Sequence, residues 1–166
     1  MNSDLFKGRV WKFGDEINTD LMVPSHALAL SDEEMPKHCF SANRPGWVDQ
    51  VKKGDIIIGG KNFGIGSSRP GAKALKLLGI ACLLAESING LFLRNCVNFG
   101  LPAMPCSDIY TAFDESDIAE VQFRLGKITN VTKGIELTAS PLPEALLKII
   151  EAGGIIPMLD KKGCLD

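Results

Sequence analysis

The chain has 166 residues, 45 % hydrophobic and 23 % charged, with a formal net charge of −2, so one domain spanning 1–166 with a single sizeable core is expected. No basic block points to nucleic acid and no acidic tail points to disorder.

The opening stretch, MNSDLFKGRVWKFGDE, has no long apolar run after a basic start. It reads as neither a secretion signal nor a membrane span, and a cytoplasmic protein with no membrane role is expected. GRVWKF (8–13) reads as the first strand. Residues 14–31 show no period and contain Asn, Asp and Pro, which predicts a long structured loop; loops of that length in compact domains are usually functional or disordered. DEEMPKHCF (32–40) predicts a short helix begun by Asp32 and limited by Pro36. KKGDIIIGG (52–60) reads as a turn, a buried strand and a glycine stop.

The loop GKNFGIGSSR then runs straight into a helix. Pro70 suits the first helical position, where its missing N–H costs nothing, with Ser68 as candidate cap. Ala72, Leu75 and Leu78 share one face, and Gly79 ends the helix. IACLLA (80–85) reads as a fully buried strand. Residues 87–100 read as a helix capped by Ser87 and stopped by Gly100, and LPAM (101–104) returns to the sheet. This rhythm predicts parallel strands with crossover helices. Residues 120–139 alternate apolar and polar side chains with turns at Gly126 and Gly134, which predicts an antiparallel meander. A helix over 143–154 and a last short helix over IIPMLDKKG follow. The expected class is mixed α/β with a β-rich, partly barrel-like half.

The five cysteines are Cys39, Cys82, Cys96, Cys106 and Cys164. Their number is odd and no pair has C-x-x-C spacing, which fits unpaired thiols in a reducing compartment. The same spacing argues against a zinc site or an iron–sulfur cluster held by this chain alone, so no metal ligands are assigned here.

Gly64 to Arg69, GIGSSR, sits between a strand and a helix. Glycines admit a ligand to the backbone, Ser67 and Ser68 offer hydroxyls, and Arg69 offers a two-pronged anion contact. Physically this is an anion site. A phosphate loop fails because no lysine follows the last glycine. A dinucleotide loop finds its first two glycines at Gly64 and Gly66 and an acidic residue at Glu86 beyond the next strand, but has Arg69 where a third glycine belongs. A carboxylate site would use Arg69 and both hydroxyls to hold a di- or tricarboxylic acid. A plain strand-to-helix turn capped by Ser68 is the bland alternative.

GKNFGIGSSR, VWKFGDEINTDLMVP (10–24), GIACLLAES with LFLRNCVNFGLPAM (79–104) and the C-terminal GGIIPML together resemble, in order and spacing, the swivelling domain of the aconitase superfamily, in its branch of 3-isopropylmalate dehydratase (isopropylmalate isomerase) small subunits. The resemblance covers nearly the whole chain. It implies a swivelling β/β/α domain and a hydro-lyase that interconverts 2-isopropylmalate and 3-isopropylmalate by dehydration and rehydration in leucine biosynthesis. It implies activity only with a separate large subunit carrying a [4Fe–4S] cluster, as a heterodimer or heterotetramer; an isolated chain would leave its active-site face uncovered, which allows a homo-oligomer without fixing one. Ser67 matches the family's catalytic base, Ser68 and Arg69 match carboxylate-binding positions, and Asp20 of the N-T-D loop matches an acidic catalytic residue. Thr19 and Gly66 adjoin them in the substrate-binding set. A serine base needs its alkoxide stabilised, by helix-start N–H groups and a nearby cation.

The chain departs from the family where S-S-R-E-H is usual: Pro70 and Gly71 replace Glu and His. S-S-R-P occurs in a branch resembling 2,3-dimethylmalate dehydratase, the alternative within the class. PSHALALSDEEMP (24–36) would be the specificity lid. It lacks an arginine for a third carboxylate and is apolar at Ala27, Leu28, Ala29 and Leu30, which suits an alkyl-substituted malate; His26 either touches substrate or faces solvent. Two other classes stay open: a non-catalytic nucleotide-binding module resting on Gly64, Gly66 and Glu86, and a scaffold whose loop binds anions incidentally.

Overall fold

The computed structural model describes residues 4–164. In chain order its elements are β1 Leu5–Lys12, α1 Thr19–Met22, α2 Trp47–Gln50, β2 Ile56–Gly59, α3 Gly71–Leu77, β3 Cys82–Ala85, α4 Gly90–Asn98, β4 Ala103–Pro105, α5 Ile109–Ala112, β5 Ile118–Gln122, β6 Lys127–Asn130, β7 Ile135–Thr138, α6 Glu144–Glu151 and α7 Ile155–Lys161, with 3₁₀ turns at Ser25–Ala27, Met35–His38 and Phe123–Leu125.

All seven strands form one mixed sheet in the order β4-β3-β2-β1-β5-β6-β7. β1 is the seam. Its second half pairs parallel with β2, Val10 opposite Ile56, and its first half pairs antiparallel with β5, Phe6 opposite Val121. Beyond β2 the strands are parallel and linked by α3 and α4; beyond β5 they form the meander, turning at Gly126 and Gly134.

β2 and β3 are buried at every position, as parallel strands covered on both faces must be. Alternate side chains feed two cores. Trp11, Ile57 and Leu83 face α3, α4 and the 13–48 segment; Val10, Ile56, Ile58, Cys82 and Leu84 face α5 and α6. On α3, Ala72 and Leu75 are fully buried and Leu78 packs against the same core.

Several expectations need correction. Ser68 does not cap α3: Pro70 takes that place and supplies no side-chain bond. α4 is capped by Asn89, whose side chain accepts from Leu91 N, while Ser87 Oγ accepts from Asn62 N at 2.8 Å. Asp32 starts no α-helix. The chain there makes only the Met35–His38 turn, with Pro36 in its first turn, and Asp32 forms an ion pair with Lys73 at 2.7 Å. The 14–31 segment is a loop punctuated by the single turn α1 and the 3₁₀ turn after it.

Candidate active site

The C-terminal ends of the neighbouring parallel strands β1 and β2 launch two loops, 13–18 and 60–70, and the loops stay zipped together after the strands end. Phe13 N donates to Ile58 O, Glu16 N to Lys61 O, Gly64 N to Ile17 O and Thr19 N to Ile65 O, all at 2.7–2.9 Å. Thr19 closes the zipper: its hydroxyl donates to Ser67 O at 2.6 Å and the residue is 2 % exposed. Thr19 therefore fixes the Ser67 backbone and does not offer its hydroxyl outward.

The zipper brings the N-T-D turn against the G-S-S-R turn. Asn18 caps α1, its Oδ1 accepting from Asp20 N at 2.8 Å, which aims the Asp20 side chain at the facing loop. Ser67 Oγ donates to Asp20 Oδ1 at 3.1 Å, Arg69 Nε lies 2.7 Å from the same oxygen, and Arg69 Nε also donates to Ser67 Oγ at 3.3 Å. A hydroxyl, a carboxylate and a guanidinium so form a closed triangle at the protein surface. Arg69 Nη1 is tied down by Val23 O at 2.9 Å, and Ser25 Oγ accepts from both terminal nitrogens at 3.3 Å. Arg69 is the least exposed member of the pair, its side chain at 17 % against 53 % for Asp20, so the cation is held rigidly beneath the more open carboxylate.

The glycines of the loop are required by this close approach. Gly66 has φ +100°, and a Cβ there would overlap Asn18 Oδ1; Gly64 has φ +84°, and its Cβ would overlap the Phe92 ring. Just ahead of α3, Arg69 N donates to Ser67 O, and the first N–H of the helix, Gly71 N, donates to Arg69 O. The cation in contact with Ser67 Oγ is the guanidinium.

Ser68 lies exposed on the same turn. In the lid, His26, Leu28, Ala29 and Leu30 are exposed, whereas Ala27 is fully buried in the core and anchors the lid instead of lining it. His26 Nε2 lies 3.2 Å from His38 Nδ1, and Lys73 holds Asp32, so the lid is closed on itself and fastened to α3. Asn18, Ser25 and Lys73 are the site residues that sequence reasoning missed. Asn in N-T-D is a readable cap signal; a lone serine in a long loop carries none.

Glu86 is committed elsewhere. Its carboxylate accepts from Asp108 N at 3.0 Å and Tyr110 N at 2.9 Å, capping the α5 turn, which gives it a structural role. Gly64, the other residue of the dinucleotide reading besides Gly66, likewise has a packing role, against the Phe92 ring. The cysteines do not fit an iron–sulfur cluster. Cys39 and Cys96 lie in one core, Cys82 and Cys106 in the other, burial pushes all four thiols up, and Cys164 stands alone at the exposed end of the described chain. Among the described residues no three His, Cys, Asp or Glu side chains converge as metal ligands, and no helix is long and apolar enough to cross a membrane.

The profile of the aconitase C-terminal domain matches residues 16–107, the stretch that contains Asp20, Ser67 and Arg69. The chain is 42 % identical over 162 residues to a 3-isopropylmalate dehydratase small subunit of Methanopyrus kandleri, covering 96 % of this chain and 95 % of that protein. It is 44 % identical over 160 residues to an isopropylmalate/citramalate isomerase small subunit of Methanocaldococcus jannaschii, covering 95 % of each. Among solved structures, the crystal structure of 3-isopropylmalate dehydratase from Methanocaldococcus jannaschii superposes with a TM-score of 0.90 at 31 % identity, covering 96 % of this chain and 95 % of that one.

Proposed function

We infer that this chain, which belongs to the aconitase C-terminal domain family and stands among its 3-isopropylmalate dehydratase small subunits, supplies the proton-transfer and carboxylate-binding part of a hydro-lyase active site. The observation that carries the reading is the Ser67–Asp20–Arg69 triangle, three side chains within 3.3 Å of one another at the meeting of two loops.

In the dehydration direction Ser67 is the base. Its oxygen takes the proton from the carbon alpha to a substrate carboxylate while its own proton passes to Asp20 Oδ1, the acceptor it already addresses. The released electron pair forms the carbon–carbon double bond as the hydroxyl leaves the neighbouring carbon. Arg69 Nε offsets the charge on both oxygens through the transfer, an electrostatic contribution that needs no reorganisation. Ser68 and the terminal nitrogens of Arg69 bind a substrate carboxylate, with Gly66 keeping the loop backbone open beside it. Readdition runs the same steps backwards, with Asp20 returning its proton to Ser67.

Small-subunit membership implies a large subunit. On this reading that partner carries the [4Fe–4S] cluster, whose Lewis acidity serves departure of the hydroxyl, because this chain's thiols are dispersed and four of the five are buried. The whole chain acts as one domain of a heterodimer or heterotetramer, in the cytoplasm, in leucine biosynthesis. The substrate class is the 2-alkylmalates. The Methanocaldococcus jannaschii relative is named for both isopropylmalate and citramalate, and Pro70–Gly71 keeps 2,3-dimethylmalate in view as the alternative substrate. The exposed Leu28 and Leu30 provide an apolar rim for the alkyl group.

The test is anaerobic reconstitution with the large subunit, following unsaturated product with 3-isopropylmalate, 2,3-dimethylmalate, citramalate and citrate in parallel. Turnover with an alkylmalate and not with citrate is expected, and Ser67→Ala should lower it by about 100-fold or more while still assembling. A complex with an intact cluster and no turnover on any of the four would refute the reading. A fully active Ser67→Ala complex would refute the choice of base.

A further inference from the structure

Ser25 is the residue against Arg69 that neither the resemblance nor the relatives single out. Its Oγ is 3.3 Å from Nη1 and 3.3 Å from Nη2. It is therefore centred on the fork of the guanidinium, where a carboxylate oxygen sits when both terminal nitrogens address it. Nε is engaged by Asp20 and Ser67 and one N–H of Nη1 by Val23 O, which leaves the second N–H of Nη2 and the fork that Ser25 occupies. Only the fork presents both terminal nitrogens to one carboxylate.

The backbone around Ser25 is fixed. Val23 and Ala27 are both fully buried, Ala27 N donates to Pro24 O and Leu28 N to Ser25 O. The residue itself is exposed, so the hydroxyl can swing aside by rotation about one side-chain bond while the turn stays in place. A hydroxyl has two lone pairs and one proton. Arg69 uses the lone pairs, and the O–H remains to donate.

We propose that Ser25 is a substrate-binding residue that shares one carboxylate of the dicarboxylate substrate with Arg69. In the free chain its oxygen accepts from the guanidinium and holds the fork in position; in the complex it turns aside and donates its proton to the carboxylate that replaces it. The inference rests on the proposed function and deepens it, by adding a third donor to the carboxylate seat.

The experiment measures kcat and KM of the reconstituted two-subunit enzyme with 3-isopropylmalate and 2,3-dimethylmalate, for wild type, Ser25→Ala and Ser25→Thr, each also combined with Arg69→Lys. Loss of a hydrogen bond to a charged group corresponds to roughly a tenfold loss of affinity. Ser25→Ala should therefore raise KM about tenfold with kcat within about twofold of wild type. Ser25→Thr, which keeps the hydroxyl, should restore KM to within about threefold. In the Arg69→Lys background, where the fork is gone, Ser25→Ala should add little. An unchanged or lowered KM in Ser25→Ala would overturn the proposal, since the hydroxyl would then be idle or merely a competitor. So would kcat and KM both worsening together with a lower melting temperature, the mark of a residue that only holds the loop. A wild-type complex with an intact cluster and no turnover would overturn the proposed function itself, and this inference with it.

Discussion

Gly66→Ala tests whether the two loops of the site are one mechanical unit. Gly66 has φ +100°, and a Cβ built there overlaps Asn18 Oδ1 and lies 2.9 Å from Asn18 Cγ and 3.0 Å from Nδ2. Asn18 is the cap of α1, and its Oδ1 holds Asp20 N. The substitution adds about 1–2 kcal/mol for an L side chain in left-handed backbone and about 1 kcal/mol for the cap that must move, together about 2–3 kcal/mol. For a chain of this length that corresponds to a melting-temperature drop of roughly 5–10 °C, readable by calorimetry or circular dichroism. Because α1 carries Asp20, turnover of the reconstituted enzyme should fall with it. The control is Asn18→Ala, which removes only the cap. In that background Gly66→Ala should cost no more than the backbone term, so the pair should be clearly non-additive. If Gly66→Ala melts within about 2 °C of wild type, or the two substitutions simply add, the steric link from Gly66 through Asn18 to Asp20 is wrong.

Three further outcomes are expected. Thiol titration of the folded protein should show one fast-reacting group, Cys164, because Cys39, Cys82, Cys96 and Cys106 are buried with thiols pushed up; the other four should react only on unfolding. The hydrogen bond from Lys133, 2.7 Å away, holds the Asp114 carboxyl below its usual range, and Asp114 in turn raises Lys133. A lowered carboxyl contributes stability that is present above the ordinary aspartate pKa and lost as pH falls through the lower folded value. A raised ammonium contributes stability that is present below the ordinary lysine pKa and lost as pH rises through the higher one. Asp114→Asn should therefore be less stable than wild type near neutral pH, and the gap in denaturant midpoint should close at both extremes. Lys76 Nζ donates to Phe99 O and Gly153 O at 2.8 Å each, tying α3 to the ends of α4 and α6; Lys76→Met should lower stability by about 1–2 kcal/mol in urea unfolding without altering the Ser67 site.

What could be read from the sequence was whatever depends on periodicity and on strong local breakers. The all-apolar runs at 56–58 and 82–85 are legible as buried strands because both faces of a parallel sheet are covered. The alternation around Gly126 and Gly134 is legible as a meander because one face is not. Caps were less legible. Ser68, Ser87 and Asp32 are all good cap residues by type, but tertiary contacts decide which one is used. Pro70 displaced Ser68, Asn89 displaced Ser87, and Lys73 drew Asp32 into an ion pair across the lid. The central place of β1 was not legible either, because its parallel and antiparallel partnerships depend on residues more than forty and a hundred positions away. Within the site, Ser67 and Arg69 stand out through their glycine-rich loop. That Asp20 meets them depends on the zipper of main-chain bonds between loops 13–18 and 60–70, which leaves no trace in side-chain pattern.

Pro70 and Gly71, which replace the Glu and His of the resembled motif, have a packing explanation that leads back to Asp20. Met22 is fully buried, and a Cβ at position 71 would stand 2.6 Å from its Sδ and 3.1 Å from its Cβ. Met22 is the last residue of α1 and Asp20 the second, so any side chain at 71 presses on the turn that presents the carboxylate. Pro70 suits the neighbouring position: its carbonyl accepts from Ala74 N at 3.0 Å, and it has no N–H to satisfy. Gly71 thus lets α1 seat directly on the start of α3, with the Met22 thioether against it. The lid meets the triangle at Ser25, which sits on the guanidinium; Leu28 and Leu30 are exposed on the same lid, and the Lys73–Asp32 pair fastens it to α3. On the proposed function, a lid with exposed Leu28 and Leu30 and no arginine suits a malate with an alkyl substituent better than one with a third carboxylate, and turnover of citrate by the reconstituted enzyme would refute that preference.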